Sequence, residues 1–558
     1  MNEDAAPTVQ RAAARRVTTL LALGVVVAAL VAPHDLAEMS PRAFARLPIE
    51  LLVLLAVLLA LPDRMARTRG LVVAAFGVVL AVVTASGLLD LGFDQALNRP
   101  FDPMIDWRYA ADLVETVRGS AEGWLGTALL VGAGTALLGT LIVVPLSVVR
   151  VSRAALRHRP AVAVIVAVLV PAWLVLSLFD VRTGGVPVAS DAAAAYAYGQ
   201  VARVPSQLRD QREFVRAAAS DPEHDTPAAD LLTHLRGKDV LLVFVESYGR
   251  VALDDPGLSA GITETLDTGT RDLAAVGWTP RSGWLTSPTF GALSWLAHST
   301  LQSGLWVDSQ QRYDHLVTTD RETLTSLFRR AGWRTVASVP ANTRDWPQGE
   351  FYGFDQVYDS RNVGYRGPRF GYPTMPDQFT LDAVHRLELA RLDRRPVMAE
   401  IDLISSHAPW SRTPRLIDQA RVGDGSVYAG MPETLPSETD IWPDPDRVRS
   451  AYAGSIDYSL RSVIAYLEAY ADDDTVVVLL GDHQPATIVS GQDPGHDVPV
   501  TLIARDPTVT DRIAAWGWTP GLRPSAGAPV WRMDAFRDEF LAAFGPGRET
   551  GTAQAGAG

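Results

Sequence analysis

Three apolar runs in this sequence end on groups that a plain fold does not need. "LLVFVESYG" delivers Glu246, "IDLISSHAPW" delivers His407, and "VVVLLGDHQP" delivers Asp482 and His483. Just before a further apolar run, "DPGHDVPV" adds His496. Each has an ordinary reading when taken alone. A carboxylate after a strand often caps the next helix, and a single histidine is more often a hydrogen-bonded structural residue than a ligand. Together, the carboxylates and imidazoles form the ligand set of a divalent ion such as zinc or manganese, with magnesium as a further option. The chain has no cysteine, which excludes thiolate ligands, a thiol nucleophile, disulfides and a cysteine-derived formylglycine.

A metal-assisted transfer also needs a nucleophile, and "SPTFGALSWLAHSTLQSG" (287–304) offers several hydroxyls. Ser294 opens the helical run "SWLAHSTLQSG". A hydroxyl there lies near unpaired N–H groups and the positive end of the helix dipole, which favour its alkoxide and a phosphate bound to it. Contact with a metal lowers its pKa further. Thr289 ranks second and Ser287 third. Ser287 before Pro288 carries the signature of a helix N-cap followed by proline at the first helical position.

The residues that end these runs need elements to carry them. The runs 239–247, 334–340, 396–405, 475–482 and 497–505 are short and nearly continuously apolar, and helical stretches separate them. That pattern predicts an α/β domain over 237–545 with a mostly parallel sheet covered by helices on both faces. In such sheets ligands bind beyond the carboxyl ends of the strands, which is where Glu246, His407, Asp482 and His483 stand. The small, polar end "GPGRETGTAQAGAG" predicts a disordered tail over 546–558.

The first third is of a different kind. Five apolar segments, at about 17–31, 49–61, 71–89, 125–149 and 161–179, predict a five-helix transmembrane domain over 1–180. The second reaches spanning length only with its flanks, from about Ala43. Arginines before the first span (Arg11, Arg15, Arg16), after the second (Arg64, Arg67, Arg69) and after the fourth (Arg150, Arg153, Arg157, Arg159) share one side. The positive-inside rule makes that side cytoplasmic, so everything after Phe179 lies outside the cell membrane. In the loop after the third span, Ile105, Tyr109, Leu113 and Val117 form an apolar helical stripe suited to the interface or to an ordinary connector. Residues 181–236, rich in alanine and charge, read as a juxtamembrane helical linker. The formal net charge is −13 and Lys238 is the sole lysine, so no basic tract for nucleic acid exists.

The ordered set of Glu246, Ser294, Asp482 and His483 resembles the alkaline phosphatase and sulfatase superfamily. The likeness is to its membrane-anchored bacterial branch of lipoteichoic acid synthases, phosphoglycerol transferases and phosphoethanolamine transferases. It implies that these four residues bind one metal, with Ser294 as nucleophile, and that His407 and His496 contact the substrate or a second zinc. "YAGSIDYSLRSVIAYLE" (452–468) is similar to the helix before the Asp-His strand, and "FYGFDQVYD" (351–359) to a recurrent turn. Three departures stand out. The sulfatase motif C/S-x-P/A-x-R is not met, because Ser294 is followed by "WLAH" and His298 stands in place of the arginine. The related transferases use threonine where this chain has serine. The Trp-x-Arg pair that holds glycerol phosphate in lipoteichoic acid synthases is rearranged, with Arg344 ahead of Trp346.

The resemblance implies a membrane-bound phospho-group transferase that takes a phospholipid head group or cell-envelope phosphodiester through a covalent seryl or threonyl intermediate. The donor is then a membrane lipid and the acceptor a cell-envelope glycan or lipid. The same parts serve a membrane-tethered phosphatase, phosphodiesterase or sulfatase-like hydrolase with water as acceptor. A non-catalytic envelope protein is the remaining alternative, and it would be expected to have lost a ligand.

Overall fold

The computed structural model describes residues 6–34, 38–103, 105–109, 125–470, 472–492 and 494–546. The chain forms two compact units, residues 1–94, 99–103 and 123–210 and residues 95–98, 104–122 and 211–558, and the boundary after Asp210 falls inside the expected linker. The expected tail from residue 547 onward lies outside the described residues, as do Leu113 and Val117 of the expected stripe. Ile105 and Tyr109 lie at a short 3-10 turn, Asp106–Tyr109.

The first unit is built on helices α1 (Ala6–Val31), α2 (Ile49–Ala60), α3 (Ala66–Leu97), α4 (Leu125–Arg157), α5 (Arg159–Leu178) and the start of α6 (Ala192–Ala218). Among the described residues, four stretches are long and apolar enough to cross a membrane: Ala13–Val31, Asp63–Leu97, Leu130–Arg157 and Arg159–Leu178. The predicted second span is not among them. Pro48 stands at its N-cap, and Leu47 and Pro48 are extended, pairing in parallel with Ala189 and Ser190. The 12 residues of α2 rise only about 18 Å at 1.5 Å each, short of the roughly 30 Å of a bilayer core. Buried side chains of α1, α2, α3 and α4, among them Val26, Leu54, Leu80 and Val148, form one apolar cluster.

The second unit is an α/β domain on a nine-stranded sheet. Its strands are β1 (Asp239–Val245), β2 (Arg281–Thr286), β3 (Arg334–Val339), β4 (Gln356–Asp359), β5 (Val397–Leu403), β6 (Thr475–Gly481), β7 (Asp497–Ala504), β8 (Thr519–Pro520) and β9 (Val530–Arg532). The spatial order is β8-β2-β7-β6-β1-β5-β3-β4, with β9 beside β2. The block β6-β1-β5-β3-β4 is parallel, but β7 is antiparallel to both β6 and β2. The sheet is therefore mostly parallel, as expected, but mixed: β7 and β8 run against the other strands. An apolar run shows that a strand is buried on both faces and leaves its direction open, which is why the sequence did not reveal this.

Side chains alternate across the sheet. Leu241, Val243, Val245, Ala399 and Ile401 face one core layer, while Val240, Leu242, Phe244 and Met398 face the other. The first layer is closed by α7 (Ser259–Ala275) and by α10 (Pro445–Tyr470), whose buried stripe includes Val448, Tyr452, Ile456, Ser459 and Val463. The second holds α8 (Ser294–Ser303) and α11 (Phe536–Phe544). A further helix, α9 (Asp377–Val384), is fully buried.

Two reversals of direction, β6 to β7 and β7 to β2, leave β2 running the same way as β6 and β1. The carboxyl ends of β2, β6, β1 and β5 and the amino end of β7 thus lie along one sheet edge. Asp497, which opens β7, stands opposite Thr286, which ends β2.

Candidate metal centre and active site

Glu246 follows β1, Asp482 and His483 follow β6, and β1 lies between β6 and β5. Adjacent parallel strands in register, with Gly481 opposite Val245, bring these three residues together. Ser294 comes from the loop after β2 and is the first residue of α8. Backbone strain sits on both sides of the group: Ser247 (φ +57°) and Leu293 (φ +70°) adopt left-handed conformations beside Glu246 and Ser294. Non-glycine residues rarely do so, at a cost on the order of 1–3 kcal/mol each.

The donor atoms face one another. Ser294 Oγ donates to Glu246 Oε2 at 2.9 Å and lies 3.2 Å from His483 Nε2. His483 Nε2 is 3.4 Å from Glu246 Oε1 and 3.6 Å from Asp482 Oδ2. Four ligands held about 2.0–2.1 Å from one ion at tetrahedral angles are about 3.3 Å apart, so these spacings fit a single small divalent cation. Two further features fit the same group. Asp482 Oδ1 accepts the N–H groups of Ser247 and His483, each at 2.7 Å, while Oδ2 is buried and has no hydrogen-bond partner. The Nδ1 of His483 lies 2.8 Å from the carbonyl of Gln484. A carbonyl only accepts, so Nδ1 carries a proton and Nε2 is the nitrogen left to face the cluster.

The charges reflect a dry site. Burial and then the neighbouring Glu246 push Asp482 up to about 6. Burial opposes charge on His483, but Asp482 and Glu246 outweigh it and raise the imidazole to about 9. Burial also works against Glu246, yet His407 and His483 hold it below the usual carboxylate range. A divalent cation would balance the two carboxylates.

The other expected site residues fall around this group. His407 stacks on Tyr372 with ring centroids 3.8 Å apart, and its Nδ1 is held by the carbonyl of Ala408 at 2.5 Å. It is close enough to Glu246 to act on its charge. His496 immediately precedes β7 and packs against Phe290; burial lowers its pKa. Trp346 packs in a cluster with Leu293 and Trp295, the two neighbours of Ser294. Arg344 is exposed in the same loop as Trp346.

Of the three hydroxyls considered as nucleophile, Ser294 is the one bonded to Glu246 and His483. Ser287 is not the helix N-cap its sequence predicts, because no helix starts at Pro288. Its hydroxyl instead donates to the carbonyl of Asp482 at 2.6 Å, tying the loop to the strand end that carries Asp482 and His483. Thr289 is buried beside it, with its Oγ1 3.4 Å from Ser287 Oγ.

A second cluster escaped the sequence reading. One turn after Ser294, His298 Nδ1 lies 3.3 Å from Glu400 Oε1 and 3.6 Å from Asp402 Oδ1, and its ring stacks on Phe244 at 3.8 Å. These donor atoms also lie close enough together to hold an ion. Burial opposes charge on His298, but Asp402 and Glu400 raise it to about 9, which also makes the group an ion-paired triad. The available signal was "MAEIDL": two acids at i and i+2, on one face of an otherwise apolar strand.

Residues 238–506 match the family model described as Sulfatase. No curated protein matches the chain. Among solved structures, it is similar to a protein in the alkaline phosphatase superfamily from Vibrio parahaemolyticus (16% identity, 53% of this chain and 68% of that one, TM-score 0.35). It is also similar to the lipoteichoic acid synthase LtaP from Listeria monocytogenes (15%, 61% and 78%, TM-score 0.36). A third is the phosphoglycerol transferase GacH from Streptococcus pyogenes, solved with sn-glycerol-1-phosphate (13%, 54% and 74%, TM-score 0.34). Over residues 238–506, just under half of the chain, the sequence is thus similar to the sulfatase family.

Proposed function

We propose that the protein is a membrane-bound, metal-dependent phospho-group transferase acting on a phospholipid head group or envelope phosphodiester. The observation that carries this reading is the meeting of Ser294 Oγ with Glu246, Asp482 and His483 at one sheet edge. A hydroxyl placed among three ligand-type side chains at a helix start is equipped to attack phosphorus. It has no evident structural task there.

Glu246, Asp482, His483 and Ser294 would hold the ion, manganese or zinc by its ligand types. When bound, the ion supplies charge neutralisation on the transferred group and a lowered pKa for the serine hydroxyl. Ser294 Oγ, its proton taken through its hydrogen bond to Glu246, forms a bond to phosphorus in line with the bond that breaks to the diacylglycerol oxygen. The leaving oxygen takes a proton from His407, while His496, whose pKa burial lowers, would orient the phosphate. In the second displacement, an envelope hydroxyl gives its proton to the His407 imidazole and attacks phosphorus as the bond to Ser294 breaks and Ser294 Oγ recovers its proton from Glu246. Two in-line steps retain configuration at phosphorus. Trp346 and Arg344 would border the donor.

The family's name does not bring sulfate-ester chemistry with it. The chain has no cysteine, and His298 stands where the sulfatase motif needs arginine. With water as acceptor, the same steps make a phosphodiesterase, and the two differ in what the second displacement yields.

The test is to incubate purified full-length protein with defined phospholipids and manganese or zinc, and to follow diacylglycerol release. Release by wild type and its loss in Ser294→Ala are expected; undiminished release by the variant overturns the nucleophile. Adding a polyol acceptor and identifying the phospho-product separates transfer from hydrolysis.

A further inference from the structure

The first unit contains a cavity of about 390 Å³, within the roughly 300–1,000 Å³ typical of small-molecule sites. It lies where α1 and α3 end and α6 begins. All its walls belong to this one unit, and they carry both signs of charge: Arg46 and Arg203 against Glu38 and Asp90, with His34 and Tyr196 between them. Asp90 lies within α3 and is only 3% exposed. An ionisable side chain buried in a helix of membrane-spanning character is costly and usually serves a ligand or pathway.

The polar groups here are placed and incompletely satisfied. One Asp90 oxygen accepts the backbone N–H of Phe101 at 2.9 Å. The His34 ring lies 4.1 Å from that of Tyr196, and its Nε2 is buried without a hydrogen-bond partner. Gly87 makes room for it, since a Cβ there would come within 2.4 Å of His34 Nδ1. Arg46 is fixed by the carbonyls of Ala43 and Val31. His34 lies within electrostatic reach of Asp90, Arg46 and Glu38.

We propose that this cavity binds a zwitterionic phospholipid head group of the ethanolamine type. Its phosphate would be taken by Arg46, Arg203 and His34, and its ammonium by Asp90 and Glu38. Two guanidinium groups facing two carboxylates match a ligand that bears both charges. A purely anionic head group would leave the acids unbalanced, the buried Asp90 above all. A lipid source is favoured over a soluble phosphoester because α1 and α3, which end at the cavity, are each long and apolar enough to cross a membrane. This site is separate from the proposed catalytic centre and requires no turnover.

The test uses full-length protein carrying Ser294→Ala, so that no donor is consumed and failure of the catalytic reading leaves the result intact. Retention of phosphatidylethanolamine, phosphatidylglycerol and soluble phosphoethanolamine is measured by native mass spectrometry from detergent. Saturable retention of phosphatidylethanolamine, about tenfold tighter than the other two, is expected. Adding Arg203→Gln or Asp90→Asn should weaken it several-fold. Arg203 is exposed, so that variant is expected to keep the thermal midpoint of its parent and to separate lost binding from lost folding. Equal or better retention of phosphatidylglycerol, equal binding of soluble phosphoethanolamine, or unchanged retention in the folded Arg203→Gln variant would overturn the proposal.

Discussion

Ser294 Oγ donates to Glu246 Oε2 across 2.9 Å, joining residues 48 apart in the chain. One comes from a helix start and the other from a strand end, so the bond exists only because β1 and β2 finish at the same sheet edge. Glu246 also accepts the hydroxyl of Ser247 through its other oxygen. Both carboxylate oxygens thus accept a hydroxyl.

Glu246→Gln keeps the size of the side chain and removes its charge. Metal affinity should fall by at least about tenfold, by analogy with the 10–100-fold that even outer-shell changes cost. Diacylglycerol release should fall with it. Isothermal titration with manganese or zinc measures the first; far-ultraviolet circular dichroism should show an unchanged fold.

His298 offers a different test, because it stands between two carboxylates in the interior. Burial, opposed by His298 and aided by Glu400, pushes Asp402 up to about 7, while Glu400 is 2% exposed and also held by Gln302. In His298→Phe the stack on Phe244 can persist, but the only cation of the triad is lost. Removing one partner of a buried ion pair costs roughly 3–5 kcal/mol, and denaturant unfolding should show a loss of about that size. Adding Glu400→Gln and Asp402→Asn should recover much of it. If the triad is an ion pair of the chain's own charges, the loss is the same with and without chelator.

These two clusters differ in how far the sequence revealed them. Glu246, Asp482 and His483 were legible because each breaks an apolar run at its end, where a strand must stop. Glu400 and Asp402 sit inside such a run and were absorbed into the strand. The short strands β2, β8 and β9 were missed for a related reason. "RSGWLT" has neither an apolar run nor clean alternation, and its burial comes from partners distant in sequence, such as Trp518 against Gly283. The misreading of Ser287 has the same origin. Its local signature is that of a cap, but a carbonyl 195 residues away claims the hydroxyl.

Asp377, at the start of α9, predicts a pH dependence unrelated to metal. Its carboxylate accepts the N–H of Ser405 at 2.9 Å and the hydroxyl of Ser459 at 2.6 Å, yet burial prevails and raises it from 3.8 to about 6. Its contribution to stability is full below the unfolded-state value near 3.8 and is lost as pH rises through about 6, because the unfolded chain gives up the proton first. At about 1.4 kcal/mol per unit, the loss is on the order of 3 kcal/mol. Asp377→Asn should abolish that fall and leave the protein more stable than wild type at neutral pH. Thermal unfolding of both proteins between pH 4 and 7 measures the difference, and parallel curves would show that Asp377 is not the group responsible.

Gly481 ends β6 immediately before Asp482, and its place in the sheet leaves no room for a side chain. A Cβ there would lie 1.9 Å from the carbonyl oxygen of Tyr248, a backbone atom on the segment that carries Glu246 and Ser247. Neither strand end can move aside without separating Glu246 from Asp482. Gly481→Ala should therefore cost at least the upper end of the roughly 1–3 kcal/mol usual for overpacking, and metal binding should weaken along with stability. Gly454, on the exposed face of α10, has nothing within 4 Å of the position a methyl group would take and gives the matched control. There, alanine should raise stability by about 1 kcal/mol through helix propensity alone and leave metal affinity unchanged. Denaturant melts and metal titration on the two variants distinguish a loss confined to the sheet edge from a general intolerance of alanine.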